Sequence, residues 1–328
     1  MEKKSFKTIV KEITQMQEFV VIATFLAAVI ICTIINPVFI KPLNLASITK
    51  MMSIWGLLAV GETFIIMTGE IDISIGSMSA CGAMIFAYLI ANMNIPPFPA
   101  FLLLLAAMVL LSLVNGLCIV KLKMPAFVVT IAMTYMCKGF GRAITNAHPI
   151  SIYTVENAQN FIKFGQAEVF GLSWGFIVFV AVIIITAIIL KSTVFGAQVT
   201  ATGDSLMASR IAGVDTDKIK ILTYVISGVM VALVAMFMVG RETTANPSTG
   251  DGWEMQVIAA CAIGGISLDG GSGSMIGTFF GVAFMAAISN ALNLFAVNAN
   301  WQTIVVGIVI LFAVVLDITR KNKKFGRK

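Results

Sequence analysis

Three carboxylates, Glu62, Glu70 and Asp72, crowd one stretch of an otherwise sparsely charged chain. Burying an ionisable group in apolar sequence is costly, so such a group ordinarily marks an ion or substrate route. Glu62 lies within the apolar run 45–67, whereas Glu70 and Asp72 fall at its end, where solvent is expected to reach them. Proton coupling needs more than one carboxylate at depth, and on this reading only Glu62 qualifies. Ser74, Gly76 and Ser77 follow directly, and Asn115 and Thr130 are further polar points inside the runs 101–120 and 127–140. A polar solute can touch the chain at any of these positions. Each also has a plain alternative, since small and hydroxylated residues let membrane helices pack closely or bond one another.

Other chemistry finds little support. The single histidine, His148, stands alone in a loop beside Pro149, without the partners a metal site or a catalytic triad requires. Cys32, Cys81, Cys118, Cys137 and Cys261 are scattered through apolar runs without C-x-x-C spacing and read as small packing residues. There is no G-x-x-x-x-G-K-[ST] phosphate loop and no Gly-Lys pair. A membrane enzyme or scaffold is disfavoured because no nucleophile, base and orienting group cluster. No cofactor is expected in this chain, and any ATP and Mg would be held by a partner.

The elements that must position these residues are membrane helices. Of 328 residues 59% are hydrophobic and 12% charged, against about 25% charged in a soluble domain. Apolar runs at 19–35, 45–67, 78–91, 101–120, 127–140, 174–190, 219–239, 253–266, 276–295 and 303–316 predict an all-α, polytopic membrane helical bundle of about ten transmembrane segments. Several runs fall short of the roughly 20 residues an upright span needs, so some helices are expected to be broken or re-entrant. The domain plan is a cytoplasmic amphipathic N-terminal segment at 1–18, a transmembrane domain at 19–317 and a basic cytoplasmic tail at 318–328. Run 19–35 lacks a small-residue cleavage site after it and reads as a retained first span. With the N-terminus inside, only Lys41, Lys50, Lys138, Arg142, Lys163 and Arg241 of the 22 basic residues lie outside or near the outer edge. That bias puts both termini in the cytoplasm of a multi-pass protein in the bacterial inner membrane. Topology and contact with membrane lipid thus explain the net charge of +6, and no nucleic-acid partner is implied.

A polar island, A-T-G-D-S-L-M-A-S-R-I-A-G-V at 201–214, interrupts two long apolar runs inside the cytoplasmic loop 191–218. Asp204 is a candidate helix cap and Gly213 a candidate left-handed stop. Between them, Leu206, Met207, Arg210 and Ile211 form a small apolar and basic face suited to a groove on a soluble partner. Two glycine-rich segments at 69–78 and 264–275 align at D-x-x-x-G-S-M, pairing Asp72 with Asp269, Gly76 with Gly273 and Ser77 with Ser274. The match suggests an internal repeat. Irregular backbone at membrane depth must face protein or water, so both segments are expected to wall or gate a path.

Along nearly its whole length the chain resembles the permease subunit of bacterial ABC importers of the ribose and related-monosaccharide type, a family that includes autoinducer-2 permeases. T-G-E-I-D-I-S-I-G-S at 68–77, N-G at 115–116 followed by M-P-A-F-V-V-T at 124–130, the island at 201–214, and I-A-A-C-A-I-G-G-I-S-L-D-G-G-S-G-S-M-I-G-T at 258–278 carry the resemblance. The run N-A-L-N-L-F-A-V-N-A-N-W-Q at 290–302 looks closer to ribose permeases. Glu70 departs from the pattern, standing where many relatives have a second glycine, and Ser209 stands where alanine usually precedes the arginine. The resemblance implies a second permease copy or a paralogue, a cytoplasmic ABC ATP-binding protein and an extracytoplasmic sugar-binding protein. It further implies that Gly203, Asp204, Leu206, Met207, Ala208, Arg210, Ile211 and Gly213 form the ATPase-coupling segment. An autoinducer-2 or other small polyol permease is the alternative within the family. From another class, an ion-coupled secondary transporter using Glu62 with Asp72 remains open.

Overall fold

A computed structural model describes residues 17–169 and 171–325. The expected amphipathic segment at 1–18 thus falls almost wholly outside the described residues, as does the very end of the basic tail. Thirteen α-helices are described: α1 (Gln17–Ile35), α2 (Pro42–Met67), α3 (Ile75–Ala91), α4 (Pro97–Lys121), α5 (Ala126–Ala143), α6 (Gln159–Gln166), α7 (Trp174–Ser192), α8 (Val194–Asp204), α9 (Leu206–Ile211), α10 (Thr216–Glu242), α11 (Trp253–Ile263), α12 (Met275–Leu294) and α13 (Ala299–Phe325). The all-α expectation needs one small amendment. Strands β1 (Ile150–Ser151) and β4 (Thr244–Ala245) pair antiparallel, as do β2 (Glu168–Val169) and β3 (Leu172–Ser173), tying down the long polar loops.

Helix α2 is the axis of the bundle. It is apolar all round, as a helix enclosed by others must be, and α10, α12, α7 and α11 pack around it. Between two apolar helices in lipid there is no hydrophobic driving force, so small residues that admit close backbone approach hold them together. A Cβ on Gly61 would come within 2.9 Å of the Ser227 Cα on α10, and one on Gly56 within 2.5 Å of the Phe179 ring on α7. By contrast α7 and α13 present Ile184, Ile188, Ile304, Ile308 and Leu311 outward. Among the cysteines, Cys32, Cys81, Cys137 and Cys261 are buried and all five are free thiols.

The count of ten spans is not confirmed. Among the described residues five helices, α2, α4, α7, α10 and α12, are long and apolar enough to cross a membrane by length and composition, while α1, α3, α11 and part of α13 are shorter apolar helices. The 11 residues of α11 rise only about 16 Å at 1.5 Å per residue, roughly half the hydrocarbon thickness. The chain then leaves the helix at Gly264 and restarts at Met275. The suspected repeat is likewise not expressed as equivalent helix starts. Ser274 caps α12, its Oγ accepting the Gly277 N–H at 3.1 Å, whereas its sequence counterpart Ser77 lies inside the first turn of α3.

Candidate translocation and coupling site

The turn from α2 to α3 folds back on itself. Gly69 takes φ +81° and ends the helical path, after which the chain returns beside α2 until the backbone N–H of Asp72 donates to Glu62 Oε1 at 3.1 Å. Asp72 Oδ1 accepts from the Ser74 N–H at 2.8 Å and from Ser74 Oγ at 2.5 Å. Asn115 on α4 closes the group by donating from Nδ2 to Ser74 Oγ at 3.2 Å. Four of the residues named from sequence, Glu62, Asp72, Ser74 and Asn115, are therefore one hydrogen-bonded cluster.

Asp72 overturns the expectation that solvent reaches it. It is 0% exposed, as is Glu62, because the return of the chain wraps it between α2, α4 and α5. Glu70 too is less open than expected, its side chain 17% exposed and paired with Lys220 of α10. Thr130 is buried but bonds its own helix, donating to the Ala126 carbonyl at 3.0 Å. Its neighbour one turn on, Thr134, which spacing alone did not single out, reaches the Ile73 carbonyl at 3.2 Å and holds the turn. Gly76 lies where a Cβ would strike the Gly250 carbonyl oxygen and come within 2.6 Å of Glu254 Oε2. The first turn of α3 thus rests directly on the segment that opens α11, a neighbour no spacing rule revealed.

The polar island divides differently from its sequence reading. Asp204 is the last residue of α8 rather than a cap, and Ser205 caps α9, its Oγ accepting the Ala208 N–H at 3.2 Å. A short side chain at the very corner between two helices is better placed to reach the free N–H groups than one still in the preceding helix. Gly213 follows α9 in the left-handed conformation, φ +84°. Met207 and Ile211 are 72% and 79% exposed, and Leu206 is also exposed. Ala208 lies among them on the same short helix, while Ser209 turns inward and donates to the Ala201 carbonyl at 2.7 Å. Arg210 is held within the chain, with Nη2 donating to Asp217 Oδ1 at 2.7 Å and Nε to Thr216 Oγ1 at 2.9 Å. Between α9, α10 and the α4–α5 turn lies a charged cleft of about 810 Å³ whose lining includes Glu70, Lys123, Arg210, Asp217 and Lys220.

Both glycine-rich segments meet the island at one point. The Gly271 N–H donates to the Met67 carbonyl at 3.0 Å. A Cβ on Gly203 would overlap the Met67 carbonyl oxygen and the Gly271 nitrogen, and one on Gly270 would come within 2.8 Å of Gly69 N and 3.0 Å of Gly203 Cα. Gly270 and Gly271 adopt φ +92° and +74°, a region where residues with a Cβ are strained. Three backbones therefore touch without side chains between them. The end of α8 thus touches both the turn that leads to Asp72 and the loop that carries Asp269.

A multi-pass helical bundle, with interrupted segments and a helix joined to them backbone to backbone, is the build of a membrane permease. The chain belongs to the family described as branched-chain amino acid transport system / permease component, whose model matches residues 44–314. It is 35% identical to the ribose import permease protein RbsC of Bacillus subtilis (strain 168), over 88% of this chain and 89% of that protein. The RbsC protein of Haemophilus influenzae is 32% identical over 92% of this chain and 94% of its own length. The L-arabinose transport system permease protein AraH of Escherichia coli (strain K12) is 31% identical over 94% and 92%. No solved structure matches the chain.

Proposed function

We propose that this chain is the membrane-spanning subunit of an ATP-driven ABC importer that moves a monosaccharide of the ribose or arabinose kind across the cytoplasmic membrane. The observation that carries the reading is the backbone contact of α8, at Gly203, with both glycine-rich loops, directly before the exposed helix α9. Similarity to ribose and arabinose permeases over about nine-tenths of the chain supports the substrate class. The α9 end faces the cytoplasm, where Leu206, Met207 and Ile211 dock on a separate ABC ATP-binding protein that holds ATP and Mg. On the opposite side an extracytoplasmic sugar-binding protein delivers the solute, and a second permease copy or a paralogue completes the path. Asp72 to Ser77 and the loop 264–274 form its gate. ATP-driven closure of the partner favours one access state only through contacts that differ between states, and we assign that difference to the shared contact at Gly203.

Reconstitution with the ATP-binding and sugar-binding proteins in vesicles tests this. Uptake of labelled D-ribose or L-arabinose should require ATP and survive an uncoupler. Uptake that outlasts ATP depletion and collapses with the uncoupler would instead select an ion-coupled carrier.

A further inference from the structure

Of the ion pairs among the described residues, the one between Lys220 of α10 and Glu70 is the most enclosed, its side chains 15% and 17% exposed. In every other pair at least one side chain is 41% or more exposed. Exposed pairs hold weakly because water and salt compete for each charge. An enclosed pair is harder to part, since each charge would be stranded in a poor dielectric. This one also joins positions 150 residues apart.

Its two ends belong to different parts of the molecule. Lys220 lies one turn after Asp217 on the same face of α10, and Asp217 Oδ1 accepts from Arg210 Nη2 of α9 at 2.7 Å. Glu70 stands in the turn between α2 and α3, its N–H donating to the Ile65 carbonyl at 3.3 Å. Two residues further on, the Asp72 N–H donates to Glu62 Oε1. Arg210, Asp217, Lys220 and Glu70 all line the charged cleft of about 810 Å³, so alternating charges run along it from α9 to the turn. Lys121 at the end of α4 also approaches Asp217, at 3.9 Å, but its side chain is 63% exposed. A shift of the first turns of α10 therefore either carries Glu70 with it or separates the enclosed pair. We propose that Lys220 and Glu70 are positioning residues for transport, their ion pair linking the corner between α9 and α10 to the turn that carries Asp72. This link is separate from the backbone contact of α8 at Gly203, and it rests on the reading of the chain as the membrane subunit of an ATP-driven importer.

The test uses the importer assembled with its ATP-binding and sugar-binding proteins in vesicles, and reads ATP hydrolysed per D-ribose or L-arabinose imported. Glu70→Gln and Lys220→Gln should each raise that ratio at least about tenfold, with the ATP-binding protein retained and the thermal midpoint of the complex within a few degrees of normal. Lys220→Arg, which keeps the charge, should hold the ratio within about threefold, as should the exchange of both charges, Glu70→Lys with Lys220→Glu. Lys121→Gln, which removes only an exposed charge, should leave the ratio within about twofold. Unchanged ratios in both single glutamine variants would overturn the proposal. So would a double exchange as uncoupled as the single variants, because the attraction between the charges would then not be what counts. Parallel loss of uptake, hydrolysis and thermal midpoint would reduce the pair to a support of the fold and overturn it too. Absence of ATP-driven uptake of either sugar by the unaltered importer would overturn the importer reading itself, and the link with it.

Discussion

At the scale of single residues, the cluster around Asp72 separates positions that serve by shape from those that serve by charge. Glu62 uses one oxygen to accept the Asp72 N–H, and a glutamine amide oxygen can accept the same bond. Glu62→Gln should therefore retain sugar uptake within a few-fold, measured as initial rate in vesicles. Loss of more than about a hundredfold would mean that the charge itself takes part, as an ion-coupled carrier requires. Gly76 is the opposite case, because nothing larger than hydrogen fits against the Gly250 carbonyl. Overpacking a close contact of this kind costs about 1–3 kcal/mol. Gly76→Val should reduce uptake at least about tenfold while membrane insertion and complex assembly, read by pull-down of the ATP-binding protein, remain intact.

At the scale of elements, α8 and the two glycine-rich loops form one packed unit. Gly203 is the point at which all three backbones touch, so Gly203→Ala should separate the unit without altering the exposed face of α9. The expected result is an assembled complex that hydrolyses ATP but transports at less than about a tenth of the normal rate. On the proposed reading, docking depends on other side chains. Fully burying each of Leu206, Met207 and Ile211 contributes roughly 1.5–3 kcal/mol, partly offset by the cost of association. Arg210 contributes by fixing α9 to α10 through Asp217 and Thr216. Arg210→Glu should loosen α9 and lower both retention of the ATP-binding protein and solute-stimulated hydrolysis. A cysteine at Met207 should crosslink to cysteines placed around the groove of that partner, and failure of every such pair would remove α9 from the coupling role.

At the scale of the whole molecule, the bundle is built around a helix that is buried without interruption from Met52 to Met67. Leu57 on α2 is 0% exposed, whereas Ile184 on α7 is 55% exposed. Leu57→Ala should destabilise the protein by about 2–5 kcal/mol, as buried truncations do. Ile184→Ala, on a face turned away from the core, should cost well under half as much. Thermal unfolding of the purified protein in one detergent compares them directly. Equal losses would mean that α7 is as enclosed as α2, for example by a second copy of the chain.

Local composition by itself determined the helical membrane class, the positions of most helices and the exposed face of α9. Apolar runs and their glycine interruptions are local properties, and lipid leaves the backbone few alternatives to helix. The left-handed stop at Gly213 was legible for the same reason, since it depends on its own φ angle alone. Tertiary structure decided everything that depends on where the chain returns. Asp72 looked like a span-end residue because linear distance from an apolar run cannot show a turn folding back against Glu62. The helix cap passed from Asp204 to Ser205 because α8 continues through Asp204 against the loop at Gly271. Equivalent motifs at Asp72 and Asp269 came to different helix positions because packing, rather than their shared letters, sets where each helix begins. The meeting of Gly69, Gly203 and Gly270 joins segments 134 and 67 residues apart in sequence. No periodicity in the chain encodes such a contact, because it arises only when α2, α8 and the loop before α12 pack together.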